Sequence, residues 1–138
     1  MYFFVMSSVF SKIIKRELPA YILYEDDLII AILNINPNNL GHTLLIPKVE
    51  IPDFVDLGND LRNHIFKIAQ NLSKSIYKVT ECKRVGMAIH GMGIPEHFHL
   101  HIVPMFDSND LNLGKNKNYS PEKMQIITAK IKDDLTIN

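Results

Sequence analysis

The sequence predicts an α+β fold in which a five-stranded, mainly antiparallel sheet carries one long helix, with a short helix at each end of the chain. From Leu61 to Val79, apolar residues recur at steps of three and four, which indicates a long helix with one apolar stripe. Short apolar runs bounded by turn residues indicate strands on both sides of it. With 138 residues, 46% of them hydrophobic, we expect a single domain with its core over about 7–106 and an irregular tail and helix over 107–138.

The first half of the chain carries the signals for a short helix and three strands. Apolar residues within 9–14 have the spacing of an amphipathic helix that stops before Pro19. Residues 21–24 and 28–33 predict a hairpin, because three turn-forming acidic residues separate them. After a polar loop that Gly41 closes, residues 42–46 predict the third strand.

The second half begins with a loop over 47–58, in which we expect four apolar side chains to be buried: Ile51, Phe54, Val55 and Leu57. His64 lies at the edge of the stripe on the long helix, which is typical of a solvated residue. Residues 85–90 predict a fourth strand that Gly91 ends, and residues 97–103 predict the fifth. A last helix is capped by Ser120 and continues to about Leu135.

Composition excludes several function classes. Fifteen Lys and Arg residues balance fifteen Asp and Glu residues, so nothing in the charge favours a nucleic-acid partner or a membrane surface. Cys82 has no partner for an intramolecular disulfide and is expected to pack as a small apolar residue. The apolar residues 1–6 have no basic segment before them and are too short for a signal peptide, and Met6 is a possible start. We therefore expect a soluble, cytoplasmic protein.

Three of the six histidines, His97, His99 and His101, alternate with Phe98, Leu100 and Ile102. On a strand this spacing places the imidazoles on one face and the apolar side chains in the core. Histidine titrates near neutral pH, so neighbouring imidazoles can act as nucleophile, proton donor and phosphate ligand.

A metal site is the competing interpretation, because two histidines two residues apart on a strand can share a zinc ion. All three cannot do so, since the outer pair is about 13 Å apart along a strand, whereas zinc binds nitrogen at about 2.0–2.1 Å. A further ligand from His42 or His90 would be needed. We predict no metal and no cofactor.

The segment His97–Val103 resembles the signature of the histidine triad (HIT) superfamily of nucleotide hydrolases and transferases. Segments 10–19, 24–27, 34–37 and 41–48 resemble, in order and spacing, landmarks of the bacterial nucleoside phosphoramidase branch, and segment 110–113 resembles a motif that follows the triad in some bacterial members. The resemblance implies a homodimeric hydrolase that acts at the α-phosphorus of a purine nucleoside phosphoramidate or related conjugate through a nucleotidyl-histidine. A dinucleoside polyphosphate hydrolase and a nucleotide-binding regulator are the alternatives.

The resemblance also implies roles for single residues. His99 attacks phosphorus, His101 binds a phosphate oxygen and helps protonate the leaving group, and His97 fixes the array, so that His97 and His101 flank the nucleophile. Implied nucleotide-binding residues are Phe10, Ile13, Ile32 and Ile35 for the base, Asn34 for the ribose, His42 beside the triad, and His90, Gly91 and Gly93 near the phosphate. Ile13 and Ile32 also fit an ordinary core, and His42 and His90 equally fit hydrogen-bonded strand residues.

The chain departs from the family pattern at three places. Asn34 stands where relatives usually have aspartate, which leaves one acceptor and one donor group for the ribose. Ser8, Ser11 and Glu50 replace the Cys-x-x-Cys and histidine that help many bacterial relatives bind a structural zinc, so we predict none here. The loop before the triad, which includes Ile94 and Glu96, lacks the glutamine and the Ser or Thr of the phosphoramidase pattern, so a hydroxyl that would contact phosphate is missing. Strand alternation predicts that Glu96 points away from the pocket. Transferases of the superfamily have glutamine as the third triad residue, so His101 indicates hydrolysis.

Overall fold

The computed structural model describes residues 8–138. The apolar opening, including Met6, lies outside the described residues. In chain order the elements are α1 (Val9–Ile14), β1 (Ile22–Glu25), β2 (Ile29–Leu33), β3 (Thr43–Pro47), a 3₁₀ turn (Phe54–Asp56), α2 (Asn59–Thr80), β4 (Arg84–Ala88), β5 (Leu100–Met105) and α3 (Pro121–Asp134). Within the described part of the chain, no helix is long and apolar enough to cross a membrane.

The five strands form one antiparallel sheet in the order β1-β2-β3-β5-β4. This confirms the predicted α+β fold. β5 lies between β3 and β4, and His101 on β5 is opposite Leu44 on one side and Ala88 on the other. The third histidine of the triad is therefore held by strands on both sides.

One face of the sheet packs against α2 and α3. The predicted stripe on α2 is confirmed, because Ile65, Ile68, Leu72 and Ile76 are fully buried against strand residues that include Leu45, Leu100 and Ile102. α3 adds Met124, Ile127 and Ile131 to the same cluster. The core therefore extends past the expected limit of about residue 106, because the last helix covers apolar surface that α2 leaves open. Its N-cap is confirmed, since the Ser120 side chain accepts from the N–H of Lys123.

The other face of the sheet carries a smaller cluster. α1 places Phe10 and Ile13 against Ile30, Ile32 and Leu44 of the sheet. Because α1 has only six residues, it covers part of this face and leaves a depression between itself and the triad.

The strand boundaries differ from the prediction on both sides of the triad. β4 ends at Ala88, so His90 lies beyond it, and β5 begins at Leu100, so His97 and His99 precede it. The physical reason is that this segment bonds outside the ladder. The N–H of Phe98 donates to the carbonyl of Ile51 in the loop after β3, at 2.7 Å.

Two further expectations are wrong in detail. Phe54 and Val55 are 40% and 78% exposed rather than buried, because they form a 3₁₀ turn on the surface while α2 already fills the sheet face. His64 is not simply solvated, since its Nε2 lies 2.7 Å from Oδ2 of Asp26. That contact joins α2 to the β1–β2 turn.

Candidate active site

A pocket of about 640 Å³ lies between α1, the end of β2 and the triad segment. Its wall is mostly apolar. The residues predicted to bind substrate that line it are Phe10, Ile13, Ile32, Asn34, Ile35, His90, Gly93, His99 and His101. None of the described residues that line it is Lys, Arg, Asp or Glu. The pocket therefore offers a phosphate no formal positive charge from a neighbouring side chain.

His99 is held with one ring nitrogen bound and the other free. Its Nδ1 donates to the carbonyl oxygen of His97 at 2.9 Å, because a carbonyl can only accept. Nε2 of the neutral ring therefore keeps its lone pair. Burial lowers the pKa of His99, and the Phe10 ring packs edge-on against the imidazole with 4.9 Å between ring centres. The nucleophilic form is thus the neutral one at pH 7.

A hydrogen bond from His42 fixes the tautomer of His101. The N–H of Asn38 donates to Nδ1 of His42 at 3.0 Å, so the proton of neutral His42 is on Nε2. This nitrogen donates to Nδ1 of His101 at 2.9 Å, which places the proton of His101 on Nε2. His42 itself does not line the pocket.

Burial keeps this histidine pair neutral. It lowers the pKa of His42 to about 3, with repulsion from His101 as the second cause. It lowers the pKa of His101 to about 4, with repulsion from His99 adding to the effect. The ring centres of His99 and His101 are 5.1 Å apart, so the Nε2 lone pair of His99 and the Nε2 proton of His101 belong to neighbouring rings.

His97 lies behind the site. It is fully buried and does not line the pocket, so the expectation that His97 and His101 flank the nucleophile is wrong for His97. Its Nε2 donates to the carbonyl of Pro47 at 2.7 Å, and its Nδ1 is 2.6 Å from Oγ of Ser8. These two contacts turn the ring away from the pocket, and only its carbonyl reaches His99.

The loop before the triad contributes less than expected. Gly93 and Ile94 line the pocket, but Gly91 does not, and its φ of +76° makes it a left-handed turn residue. His90 is exposed at the rim, where its Nδ1 accepts only a long 3.4 Å contact from the N–H of Met92. Glu96 is exposed and absent from the lining.

Comparison with known proteins shows the family of this chain. A model of the HIT domain matches residues 15–108, which is more than half of the chain. The chain belongs to the HIT family. An uncharacterized HIT-like protein of Borreliella burgdorferi is 31% identical over 131 residues, covering 89% of this chain and 94% of that protein.

Two relatives of this HIT protein are named as hydrolases. The purine nucleoside phosphoramidase of Escherichia coli is 31% identical over 98 residues, covering 69% of this chain and 82% of the relative. An adenylylsulfatase of Arabidopsis thaliana is 32% identical over 100 residues, covering 70% of this chain and 51% of the relative. The family therefore includes hydrolases of nucleotide conjugates.

Solved structures show the same fold. A HIT-like protein of Bartonella henselae superposes with a TM-score of 0.79 at 26% identity, covering 93% of this chain and 96% of that one. A zinc-bound histidine triad family protein of Mycobacterium smegmatis gives a TM-score of 0.76 at 26% identity, covering 92% and 94%.

The residues of this HIT protein at the corresponding positions do not fit a structural zinc. Oγ of Ser8 lies 2.6 Å from Nδ1 of His97, and Glu50 accepts short hydrogen bonds from Ser8 and Ser11. Serine hydroxyls are not among the usual zinc ligands. Over residues 8–138 no group of three or more His, Cys, Asp or Glu side chains is placed to hold a metal ion. The absence of zinc remains a prediction.

Asn34 lines the pocket with its acceptor already in use. Its Oδ1 accepts from the N–H of Asn36 at 2.9 Å, in a turn that shapes the pocket rim. A ligand can then use the Nδ2 amide, which can only donate, and the second lone pair of Oδ1. An aspartate would keep the turn and leave a second oxygen free.

Sequence reasoning missed Leu113, which lines the pocket from the irregular stretch after the triad. This stretch is fastened to the loop that carries His42. Nδ2 of Asn38 donates to the carbonyls of Asp110 at 2.8 Å and Asn112 at 3.2 Å. Lys117 donates to Oδ1 of Asn39. Segment 110–113 resembles a family motif, but that resemblance implied no role for Leu113, and these distant contacts reveal its position.

Proposed function

We propose that this HIT protein hydrolyses a purine nucleoside phosphoramidate, or a related conjugate, at the α-phosphorus and releases the nucleoside monophosphate. One observation carries the proposal: the free lone pair of His99 and the Nε2 proton of His101 lie side by side in rings 5.1 Å apart. A nucleophile and a hydrogen-bond donor for the leaving nitrogen are two groups that displacement of an amine from phosphorus requires.

The reaction has two steps. Nε2 of His99 attacks phosphorus and forms the nucleotidyl-histidine bond, while the bond from phosphorus to the leaving nitrogen breaks. A water molecule gives a proton to that nitrogen, and the Nε2–H of His101 donates a hydrogen bond to it, so a neutral amine leaves and hydroxide remains. The hydroxide then attacks phosphorus. The bond to His99 breaks, and the monophosphate departs with both imidazoles restored.

The charge of the pocket favours a phosphoramidate over a dinucleoside polyphosphate. A phosphoramidate monoester carries about one negative charge at neutral pH, whereas a polyphosphate bridge carries several. The described lining contains no Lys or Arg, and the pKa values of His99 and His101 are lowered, so several charges would lose hydration without compensation. Dinucleoside polyphosphate hydrolysis is therefore the second candidate.

A nucleotide-binding regulator with little turnover is the third candidate. Oδ1 of Asn34 already accepts from the N–H of Asn36, and apolar Ile94 lies in the pocket wall. The site therefore offers few polar groups to a ribose and a phosphate. Neither feature touches the paired imidazoles that chemistry needs.

Comparison of two substrates tests the proposal. We expect purified protein to hydrolyse adenosine 5′-phosphoramidate with a kcat/KM at least about tenfold above that for diadenosine tetraphosphate. A tenfold ratio corresponds to a difference of about 1.4 kcal/mol in transition-state stabilisation. Chromatography of released AMP measures both. A preference for the tetraphosphate would favour the second candidate. Binding of AMP by calorimetry without hydrolysis of either compound would favour the third.

Asn34→Asp is expected to lower KM for adenosine 5′-phosphoramidate by about tenfold, the lower end of the effect of one charge-assisted hydrogen bond. One carboxylate oxygen replaces Oδ1 in the turn with Asn36, and the other accepts from a ribose hydroxyl. Steady-state kinetics measure the change. The 2′,3′-dideoxy analogue is the control, because it has no hydroxyl to donate. An equal gain with that analogue would show that Asn34 does not face the ribose.

We also propose a homodimer and a cytoplasmic location. β4 is an edge strand of the sheet, and partly exposed Phe66, Tyr77 and Met87 line a shallow groove between it and α2. A second copy seated there would cover the apolar groove and the open edge together. The location rests on the lone cysteine, Cys82.

A further inference from the structure

A buried hydrogen-bond network joins the start of α1 to the back of the triad. Oε1 of Glu50 accepts from the N–H of Ser8 and from Oγ of Ser11, both at 2.6 Å. Oγ of Ser8 caps α1 by accepting from the N–H of Ser11 at 3.0 Å and lies 2.6 Å from Nδ1 of His97. Ser8, Ser11 and His97 are buried, while Glu50 reaches them from the surface.

The hydrogen bonds of the network can be given donors and acceptors. In a neutral His97 ring Nε2 donates to the carbonyl of Pro47, so Nδ1 accepts from the hydroxyl of Ser8, which also lies 3.4 Å from the hydroxyl of Ser11. The hydroxyl of Ser11 donates to Glu50, since a carboxylate can only accept. These donors lower the pKa of Glu50, with the Ser11 hydroxyl as the largest cause. The carboxylate is therefore ionised at neutral pH and can satisfy two donors at once.

The network reaches the nucleophile by two routes. The ring of His97 is fixed between Ser8 and Pro47, and its carbonyl accepts the Nδ1 proton of His99. The network also fixes the start of α1, which places the Phe10 ring 4.9 Å from the His99 ring. Both the tautomer and the orientation of His99 thus depend on contacts that Glu50 holds from outside the pocket.

We propose that Glu50 is a positioning residue for the triad: it binds the first turn of α1 to the loop after β3 and thereby holds His97, and through it His99, in the reactive arrangement. Glu50 touches neither the pocket lining nor the reacting atoms. The expected effect of Glu50 on kcat rests on the proposed function, but the orientation of His99 can be measured without turnover.

Glu50→Ala is expected to lower kcat for adenosine 5′-phosphoramidate by about tenfold, the effect of losing one to two hydrogen bonds to a charged group. Glu50→Gln is expected to stay within about threefold, because the amide oxygen still accepts from Ser8 and Ser11. Asp56→Ala is the matched control, since Asp56 is an exposed carboxylate of the same loop. We expect it to leave kcat unchanged.

Nitrogen-15 NMR of the histidine rings gives the readout that separates positioning from general stability. In the native protein and in Glu50→Gln, His99 is expected to show the tautomer protonated at Nδ1. In Glu50→Ala its two nitrogen shifts are expected to move toward the averaged values of a free imidazole, in samples shown by circular dichroism to be folded. Ser11→Ala, which removes one donor to Glu50, should give a smaller shift in the same direction.

Two results would overturn the proposal. One is a folded Glu50→Ala, or Ser11→Ala if the former does not fold, in which the His99 nitrogen shifts are those of the native protein. The other is a loss of kcat in Glu50→Gln as large as in Glu50→Ala. If the native protein hydrolyses no phosphoramidate, the proposed function fails, while the NMR comparison still decides the role of Glu50.

Discussion

Replacing His99 with alanine is expected to abolish release of AMP from adenosine 5′-phosphoramidate, while AMP still binds. His99 is the residue of the pocket whose lone pair is left free by a hydrogen bond on the opposite ring nitrogen. Without it, water must attack phosphorus directly, and the covalent route is lost. Removal of a nucleophile that acts with a paired acid typically costs about 10⁴–10⁶ in kcat. Pocket walls that bind the nucleoside remain in place.

The measurement is kcat by AMP release together with AMP affinity by calorimetry. A native sample quenched in acid-free denaturant during turnover should contain a nucleotidyl group on the peptide carrying His99, detected by mass spectrometry, and the variant should not. His64→Ala is the matched control, because it removes an imidazole that bonds to Asp26 outside the pocket. Undiminished turnover by His99→Ala would remove His99 from the mechanism.

Local periodicity made much of the fold predictable. The stripe on α2 and the hairpin of β1 and β2 each depend on neighbours within a few residues, so the sequence pattern alone identifies them. The alternation after His97 correctly divides the side chains, since Phe98, Leu100 and Ile102 all enter the main core. Periodicity shows which face of an element a residue occupies, and for these three apolar residues the predicted face is the one observed.

Contacts between distant segments explain what was missed. His97 does not line the pocket because its ring bonds to Pro47 and Ser8, which are fifty and eighty-nine positions away. Glu50 is informative in the sequence only as the absence of a zinc ligand, yet it completes a network with α1. Such partners have no sequence period, so only the folded chain shows them.

Replacing His101 with glutamine is expected to lower kcat for adenosine 5′-phosphoramidate by about 10²–10³, the usual cost of losing one preorganised hydrogen-bond donor in the transition state. An amine leaves phosphorus poorly without a hydrogen bond to its nitrogen, and the chain from Asn38 through His42 keeps a proton on Nε2 of His101 that can make this bond. Glutamine keeps a polar group in the site, but no hydrogen bond from His42 to a ring nitrogen fixes the direction of its N–H. The loss should fall on the step that breaks the bond to nitrogen.

A change of leaving group isolates that role. In adenosine 5′-(4-nitrophenyl) phosphate the leaving phenolate departs without a proton, so His101→Gln should cost this substrate less than about tenfold, whereas His99→Ala should abolish both reactions. His42→Ala removes the donor to Nδ1 of His101 and leaves its tautomer unfixed. It should therefore impair the phosphoramidate more than the nitrophenyl ester. Equal losses on the two substrates in His101→Gln would mean that His101 binds a phosphate oxygen and makes no hydrogen bond to the leaving group, because oxygen binding is needed whichever group leaves.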